Sequence, residues 1–369
     1  MRPSNVEACF DSTSMSVRAD EHGLLSAARG GDERAFAELM DAHRGRLHAH
    51  CYRMMGSVSD ADDALQETLI NAWRGIARFD ERSALGSWLY RIATNACLNA
   101  IKARKRRALP LQIGFRSDDP VDAAGPPVLE SVWIEPYPEE ATPFAEASDP
   151  EVRFRDRESL ELAFVAALQL LPANQRAALI LFEVLGFSAD EVAESLGTSR
   201  ASVNSALQRA RRLLDEHRPE RSQQAVIRSL DDEALRALTS RYVRAMESAD
   251  VEGLVGMLQA DATWSMPPQP AWFQGPETIA AFLTTGPFEY FRWRLEPLRL
   301  NGQVAFACYS WDVGRGEWAA HSFNVLELAG TAVAGVTSFL DVSRRGAVGP
   351  DFVQGRVFER YGLPGLRPD

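Results

Sequence analysis

The sequence predicts a multidomain chain: an all-α module, a second all-α module containing a helix-turn-helix, and an α+β module at the C-terminus. Three observations carry this. Apolar residues recur at three- and four-residue spacing from about Leu24 to Arg107 and again from Val152 to Glu216. Between these stretches, residues 108–150 hold eight prolines, and ten carboxylates fall between Ser117 and Glu151 with no Lys or Arg. Beyond Leu230, two helical patterns give way to strand-like runs, QVAFACYSW, AAHSFNVLEL and AVAGVTSFLD, separated by glycine and acidic turns.

A chain of 369 residues is long for one core, and two or three are expected. The expected boundaries follow the pattern changes. Residues 1–20 are a disordered N-terminus, 21–108 the first helical module, and 109–150 an acidic, proline-rich linker. That linker is expected to run extended or disordered, since its composition cannot build a core. Residues 151–217 form the second helical module, 218–229 a short polar joint, 230–345 the α+β module and 346–369 a tail.

The cysteines, Cys9, Cys51, Cys97 and Cys308, are far apart and form no CxxC pair, which argues against a disulfide framework and a cysteine zinc site. They read as buried thiols. No apolar run approaches bilayer length and the N-terminus lacks a basic-then-apolar signal, so a cytoplasmic protein is expected. The net charge of −11 argues against a uniformly basic nucleic-acid binder. The basic residues are nevertheless clustered. IKARKRR (101–107) holds five and no acid, and 200–212 holds Arg200, Arg209, Arg211 and Arg212, again without an acid.

In the first module, Ser59 and Asp62 read as a capping box for a helix running to Ile76. Leu65, Leu69, Ala72, Trp73 and Ile76 share one face of it, and Asp60, Asp63 and Glu67 the opposite one. On the next helix, Leu89, Ala93, Ala96, Cys97 and Ala100 make a buried stripe, while Asn95, Asn99, Lys102 and Arg106 line up on the other side. Amides beside cations on one exposed face suit base edges plus phosphates. Five basic residues in seven exceed what compensation of the helix dipole needs. His48, His50 and Cys51 lack a third ligand at useful spacing, so packing is expected there and no metal.

DADDALQETLINAWRGIARFD followed by SWLYRIATNACLNAIKARKRR resembles region 2 of the extracytoplasmic-function (ECF) sigma factors of bacterial RNA polymerase. The resemblance implies that Asp60, Asp62, Asp63, Gln66 and Glu67 contact core polymerase, at the clamp helices of its β′ subunit. It also implies that Arg82, Ser83, Asn95, Asn99, Lys102 and Arg106 contact the non-template strand of the minus-10 element. Extruding a base there costs a few kcal/mol, which those contacts must offset.

In the second module, SADEVAESLGTSRASVNSALQRARRLL has helix-turn-helix spacing, with Ala193 at the close approach, Gly197 in the turn and Val203 anchoring the second helix. Ser188 and Glu191 make a capping box. Val203, Ala206, Leu207, Ala210 and Leu214 face inward, leaving Arg200, Ala201, Ser202, Ser205, Gln208, Arg209 and Arg212 outward. Together with LELAFVAALQLLPANQRAALILFEVLGF, this stretch is similar to sigma region 4, which implies reading of the minus-35 element and contact with the polymerase β flap. The linker string SVWIEPYPEE is similar to a tryptophan–proline motif of sigma-G-like proteins, and its acidity suits the polymerase cleft.

The C-terminal module, from LTSRYVRAMESADVEGLVGMLQADATWSMPP onward, resembles SnoaL-like domains of the cone-shaped NTF2 superfamily. Trp264, Trp272, Trp293, Trp311 and Trp318 either line a pocket or fill a core. Tyr242 matches the tyrosine position of the superfamily's isomerases, but Met266 stands where the resemblance puts the base carboxylate, and a thioether cannot abstract a proton. Asp261, His321 and Asp341 show no spacing that assembles an acid–base pair. The expected role is therefore regulatory, with Tyr242, Trp264 and Met266 around a small apolar ligand and no cofactor. A ligand-sensing repressor would leave 24–107 without a role, and a polyketide-cyclase-type enzyme would explain only the last third. The expected function is transcription initiation.

Overall fold

The computed structural model describes residues 21–81, 83–103, 106–119, 127–128, 132–138, 150–217, 219–341 and 357–367. Helix α1 (21–29) leads into α2 (Glu33–Met55), α3 (Val58–Gly75) and α4 (Leu85–Lys102). Asp32 caps α2 by accepting the Arg34 and Ala35 N–H groups, and Gly56 ends it at φ 71°, which glycine adopts without strain. The three long helices meet through Leu47, Cys51, Met54, Leu65, Ala72, Leu89 and Ala93. The Cys51 thiol beside it, with burial, pushes the Cys97 thiol well above its ordinary value, as suits an inert packing thiol.

Helix α3 does not start as expected. Its N-cap is Ser57, whose hydroxyl accepts the Asp60 N–H, and the capping carboxylate comes from the linker. Glu135 accepts the Val58 and Ser59 N–H groups at 2.8 and 3.1 Å. A carboxylate at the positive end of a helix serves equally well from a distant part of the chain.

The linker contributes α5 (Pro110–Ile113) and the short strand β1 (Phe115–Arg116). Against the expectation of a segment outside any core, Trp133, Ile134 and Tyr137 are buried. The reason is local: SVWIEPYPEE carries aromatic and branched side chains within an otherwise polar stretch. Its backbone is paired, Ala108 N–H with Val132 O and Ile134 N–H with Ala108 O, and the Tyr137 ring lies 4.5 Å from that of Tyr52 on α2.

The second module comprises α6 (Pro150–Glu158), α7 (Leu162–Leu170), α8 (Ala173–Leu179) with a π-helical turn Ile180–Val184, α9 (Ala189–Leu196) and α10 (Arg200–His217). Helix α7 is buried from Phe164 to Gln169 and packs on α2. Arg176, itself buried, donates to the Met54 carbonyl of the first module, so the two helical modules share one apolar cluster.

The joint between the second and third modules is helical. α11 (Gln223–Ser229) buries Gln223 and Gln224, which a purely polar reading leaves in solvent. Gln223 satisfies both backbone groups of Leu328, and Gln224 donates to the Gly302 carbonyl. The third module follows with α12 (Asp232–Glu247), α13 (Val251–Val255), β2 (Leu258–Ser265), β3 (Ala271–Gln274), α14 (Pro276–Thr285), α15 (Pro287–Tyr290), β4 (Trp293–Leu300), β5 (Gln303–Asp312), β6 (Glu317–Ala329) and β7 (Ala332–Leu340). The sheet order is β1-β3-β2-β7-β6-β5-β4, so the linker strand β1 extends the C-terminal sheet. From the tail, α16 (Val357–Arg360) and β8 (Leu366–Arg367) return onto the sheet, with Phe358 stacked on Phe323 and Tyr361 donating to Pro136 O. Phe358 and Tyr361 are buried, so the tail belongs to the fold.

All three parts meet at one hairpin turn, Asn301-Gly302 between β4 and β5. Asn301 is 0 % exposed and has φ 55°, a region that asparagine tolerates better than most residues. Its amide donates to Tyr52 Oη of α2 and to Leu160 O before α7, and its Oδ1 accepts the Tyr137 N–H at 2.7 Å. Its own N–H donates to Tyr137 O.

Candidate nucleic-acid interface

On α3, Asp62, Asp63, Gln66 and Glu67 are exposed. Asp60 departs from the expectation: it is 7 % exposed, and its Oδ2 accepts both Nε and Nη2 of Arg107 at 2.9 and 2.6 Å. This buried pair removes Asp60 from the acidic face and Arg107 from the basic cluster, and it ties the start of α3 to the chain after α4. Arg107 also donates to Trp133 O. Asp62 lies 3.1 Å from Nε2 of the buried His48.

On α4, Asn95, Asn99 and Lys102 are exposed, as are Ser83 before it and Arg106 after it; Arg82 lies outside the described residues. The inward stripe is Leu89, Ala93, Ala96 and Cys97. A groove of about 500 Å³ runs between α3 and α4, with Asp63 and Glu67 on one wall and Asn95 and Asn99 on the other. An acidic wall suits a basic protein partner, and the amide wall suits unstacked bases.

In the helix-turn-helix, Ser188 Oγ accepts the Glu191 N–H and Glu191 accepts the Ser188 N–H at 2.8 Å, so the capping box forms. These bonds from Ser188 hold the Glu191 carboxyl below its usual value. Gly197 turns the chain at φ 60°. On α10, Val203, Leu207, Ala210 and Leu214 are buried, while Arg200, Ser202, Ser205, Gln208, Arg209 and Arg212 are exposed. Arg200 and Arg212 carry exposed pairs with Asp190 and Glu216 at 3.2 and 3.3 Å, weak enough to be exchanged for phosphates.

Of the C-terminal residues expected around a ligand, Tyr242 and Trp264 are buried and Met266 is half-buried. Tyr242 is 0 % exposed, its ring stacks on Phe306 at 4.9 Å, and its hydroxyl accepts from Asn324 at 3.0 Å. Burial pushes that hydroxyl well above its ordinary pKa. Trp264 is buried toward Phe282, and half-buried Met266 lies in the loop after β2, its carbonyl accepting the Gln269 N–H. Tyr242, Trp264, Phe306 and Phe282 belong to one buried apolar cluster of the domain, with Met266 packed against it. Strand pairing does bring His321 and Asp341 together, which their sequence spacing hides: the Asp341 N–H donates to His321 O at 2.7 Å. The His321 ring lies against Phe291 and Trp293. Among the described residues no cluster of metal-ligating side chains occurs, and no helix is long and apolar enough to cross a membrane.

An acidic helix face, an amide-and-cation helix beside it and a separate helix-turn-helix define a two-module helical DNA-binding protein, here joined to an α+β cone. Family models agree piece by piece: Sigma-70 region 2 over residues 39–107, Sigma-70 region 4 over 161–214 and a SnoaL-like domain over 239–336. The chain is similar to the ECF RNA polymerase sigma factor SigG of Mycobacterium tuberculosis, 39% identical over 357 residues that cover 95% of this chain and 89% of that protein. It is also similar to SigM of that organism, 30% identical over 188 residues, covering 51% of this chain and 79% of SigM. The crystal structure of Mycobacterium tuberculosis SigJ shares the fold, with a TM-score of 0.54 at 19% identity, covering 86% of this chain and 98% of that one. The chain belongs to the ECF sigma-70 family. It is a promoter-recognising initiation factor with a SnoaL-like domain at its C-terminus.

Proposed function

We propose that Asp62, Asp63, Gln66 and Glu67 engage core RNA polymerase, that the α4 face reads the minus-10 element and the α10 face the minus-35 element, and that the SnoaL-like domain holds the two readers in a resting arrangement. Arg82 keeps its expected place in the minus-10 set through the family resemblance alone. The C-terminal domain acts by docking and performs no chemistry. Its buried tyrosine and the methionine at the base position support that reading.

One observation carries the regulatory part: the Asn301 turn is inserted between α2, the linker and the start of α7. With this turn in place, α4 contacts α9, and Arg91 meets Glu194 at 3.3 Å. Elements named for positions 10 and 35 lie about 25 base pairs apart, roughly 85 Å along a duplex at 3.4 Å per base pair. An 18-residue helix such as α4 spans about 27 Å. Readers in mutual contact cannot cover both elements, so initiation requires them to separate, and each contact made by Asn301 opposes that separation.

The test is promoter-specific transcription by purified core polymerase with the wild-type chain and Asn301→Ala. The variant is expected to initiate about fivefold more at limiting protein, the lower end of typical coupling between sites. Unchanged or lower initiation by a folded variant overturns the regulatory reading.

A further inference from the structure

His48 belongs to the histidine–cysteine group of α2, which promoter recognition leaves without a task. It sits on α2, 8 % exposed, between two groups of unlike function. On one side, Nδ1 lies 2.7 Å from Tyr137 Oη of the linker. On the other, Nε2 lies 3.1 Å from Oδ1 of Asp62, which is on the exposed acidic face of α3. We infer that His48 is a positioning residue that couples the polymerase-facing carboxylate of Asp62 to the linker strap at Tyr137, so that drawing Asp62 toward a basic partner loosens the strap. The inference deepens the proposed function and rests on Asp62 facing polymerase.

The direction of the chain follows from the donors. Asp62 is a carboxylate that only accepts, so the ring hydrogen facing it is on Nε2. With the hydrogen there, Nδ1 is the acceptor, and the Tyr137 hydroxyl donates to it at 2.7 Å. That Nε2 is buried and lacks a well-aligned hydrogen bond, because the short approach of Asp62 is oblique. A buried donor with one imperfect acceptor responds strongly to where that acceptor goes.

Asp62 can go elsewhere. Its side chain is 60 % exposed, and Asp63 and Glu67 beside it form the face expected to meet basic residues of polymerase. At the other end, Tyr137 is not a free ring. Its backbone is bonded at both N–H and C=O to Asn301, so the chain from Asp62 ends on the turn that joins the C-terminal domain to the helical modules. Asp62 and Tyr137 lie on different segments, and the imidazole bridges them.

The experiment is hydrogen exchange by mass spectrometry on a peptide covering 132–138 of the full-length chain without polymerase, in a double-mutant cycle. Asp62→Asn removes the charge that holds Nε2–H and is expected to raise strap exchange about fivefold. His48→Ala raises it by itself and abolishes the response to Asp62→Asn. His48→Gln, which keeps a donor and an acceptor at similar reach, restores part of that response. A merely structural histidine gives additive effects, because the two substitutions then act separately. Additivity, or no change with Asp62→Asn, overturns the coupling. Charge reversal at Asp63 and Glu67, read as binding of core polymerase, tests the acidic face separately. Loss of binding there together with additive exchange rejects the coupling and keeps the face. Retained binding rejects the face itself, and with it the polymerase-facing role of Asp62.

Discussion

The two faces of the C-terminal sheet are both buried, but by different parts of the chain. Along β5, Val304, Phe306 and Cys308 point into the domain's own core with Tyr242, Trp264 and Leu326. The residues between them, Ala305, Ala307 and Tyr309, belong to the cluster that also holds Leu47, Met54, Val165 and the tail residue Phe358. Successive side chains of a strand point to opposite faces, so a run that is apolar at every position marks a strand covered on both sides. The stretch VAFACY of β5 is such a run. The difference teaches that the inner face makes the cone a folding unit, while the outer face is where the cone packs against the sigma modules.

The sharpest break is on the inner face. Phe306→Ala removes a ring stacked on Tyr242 at 0 % exposure and is expected to cost about 3–5 kcal/mol, read as loss of the C-terminal unit in denaturant. If the helical modules lose as much stability, the faces are not separate. On the outer face, Asn301→Ala strands Tyr137 N–H and Leu160 O and puts alanine at φ 55°, for about 2–4 kcal/mol in all. Proteolysis should then cut within 132–138 while the cone stays intact. Cleavage inside the cone first would contradict this.

Acid probes the module under the outer face. His50 Nε2–H donates to Thr94 Oγ1, whose own hydrogen goes to Tyr90 O, and its Nδ1 is buried with no hydrogen-bond partner. Burial, reinforced by Arg53, lowers its pKa to about 3. The unfolded chain takes up this proton near pH 6.5, so it binds more protons than the folded state between pH 6.5 and 3. Stability is therefore full above 6.5 and falls on acidification, by about 1.4 kcal/mol per unit, or roughly 2–3 kcal/mol between pH 6.5 and 4.5. A His50→Asn variant that kept the same slope would remove this assignment. The smallest effect belongs to the contact between readers. Arg91 and Glu194 are exposed by 40% and 75%, and Arg91→Ala should change stability by less than about 1 kcal/mol. A larger loss would move the clamp from Asn301 to the readers themselves.

Local signals made much of this legible. The Ser188–Glu191 box, the Gly197 turn and the inward stripe of α10 depend on neighbours within a few residues, and the amide-and-cation face of α4 depends on helical period alone. Asp60 shows where this stops. Its spacing places it with Asp63 and Glu67, and only the return of Arg107, 47 residues later, takes it inside. The α3 cap falls two residues earlier than expected, at Ser57, and its carboxylate comes from Glu135, 77 positions from Val58. Gln223 and Gln224 read as solvent-facing until the strand edge and turn whose backbone groups they satisfy are known. Tyr242 and Trp264 were recognisable as important apolar residues, but whether such rings leave a hole is a matter of packing that no spacing encodes.

The Asn301 turn also sets an order of events at the ribosome. Tyr137 and the asparagine that holds it are 164 positions apart. At bacterial elongation rates of about 5–20 residues per second, roughly 10–30 s pass between their syntheses. During that interval both readers emerge, fold and meet solvent with the strap unfastened, and the newborn chain is for a while less restrained than the finished one.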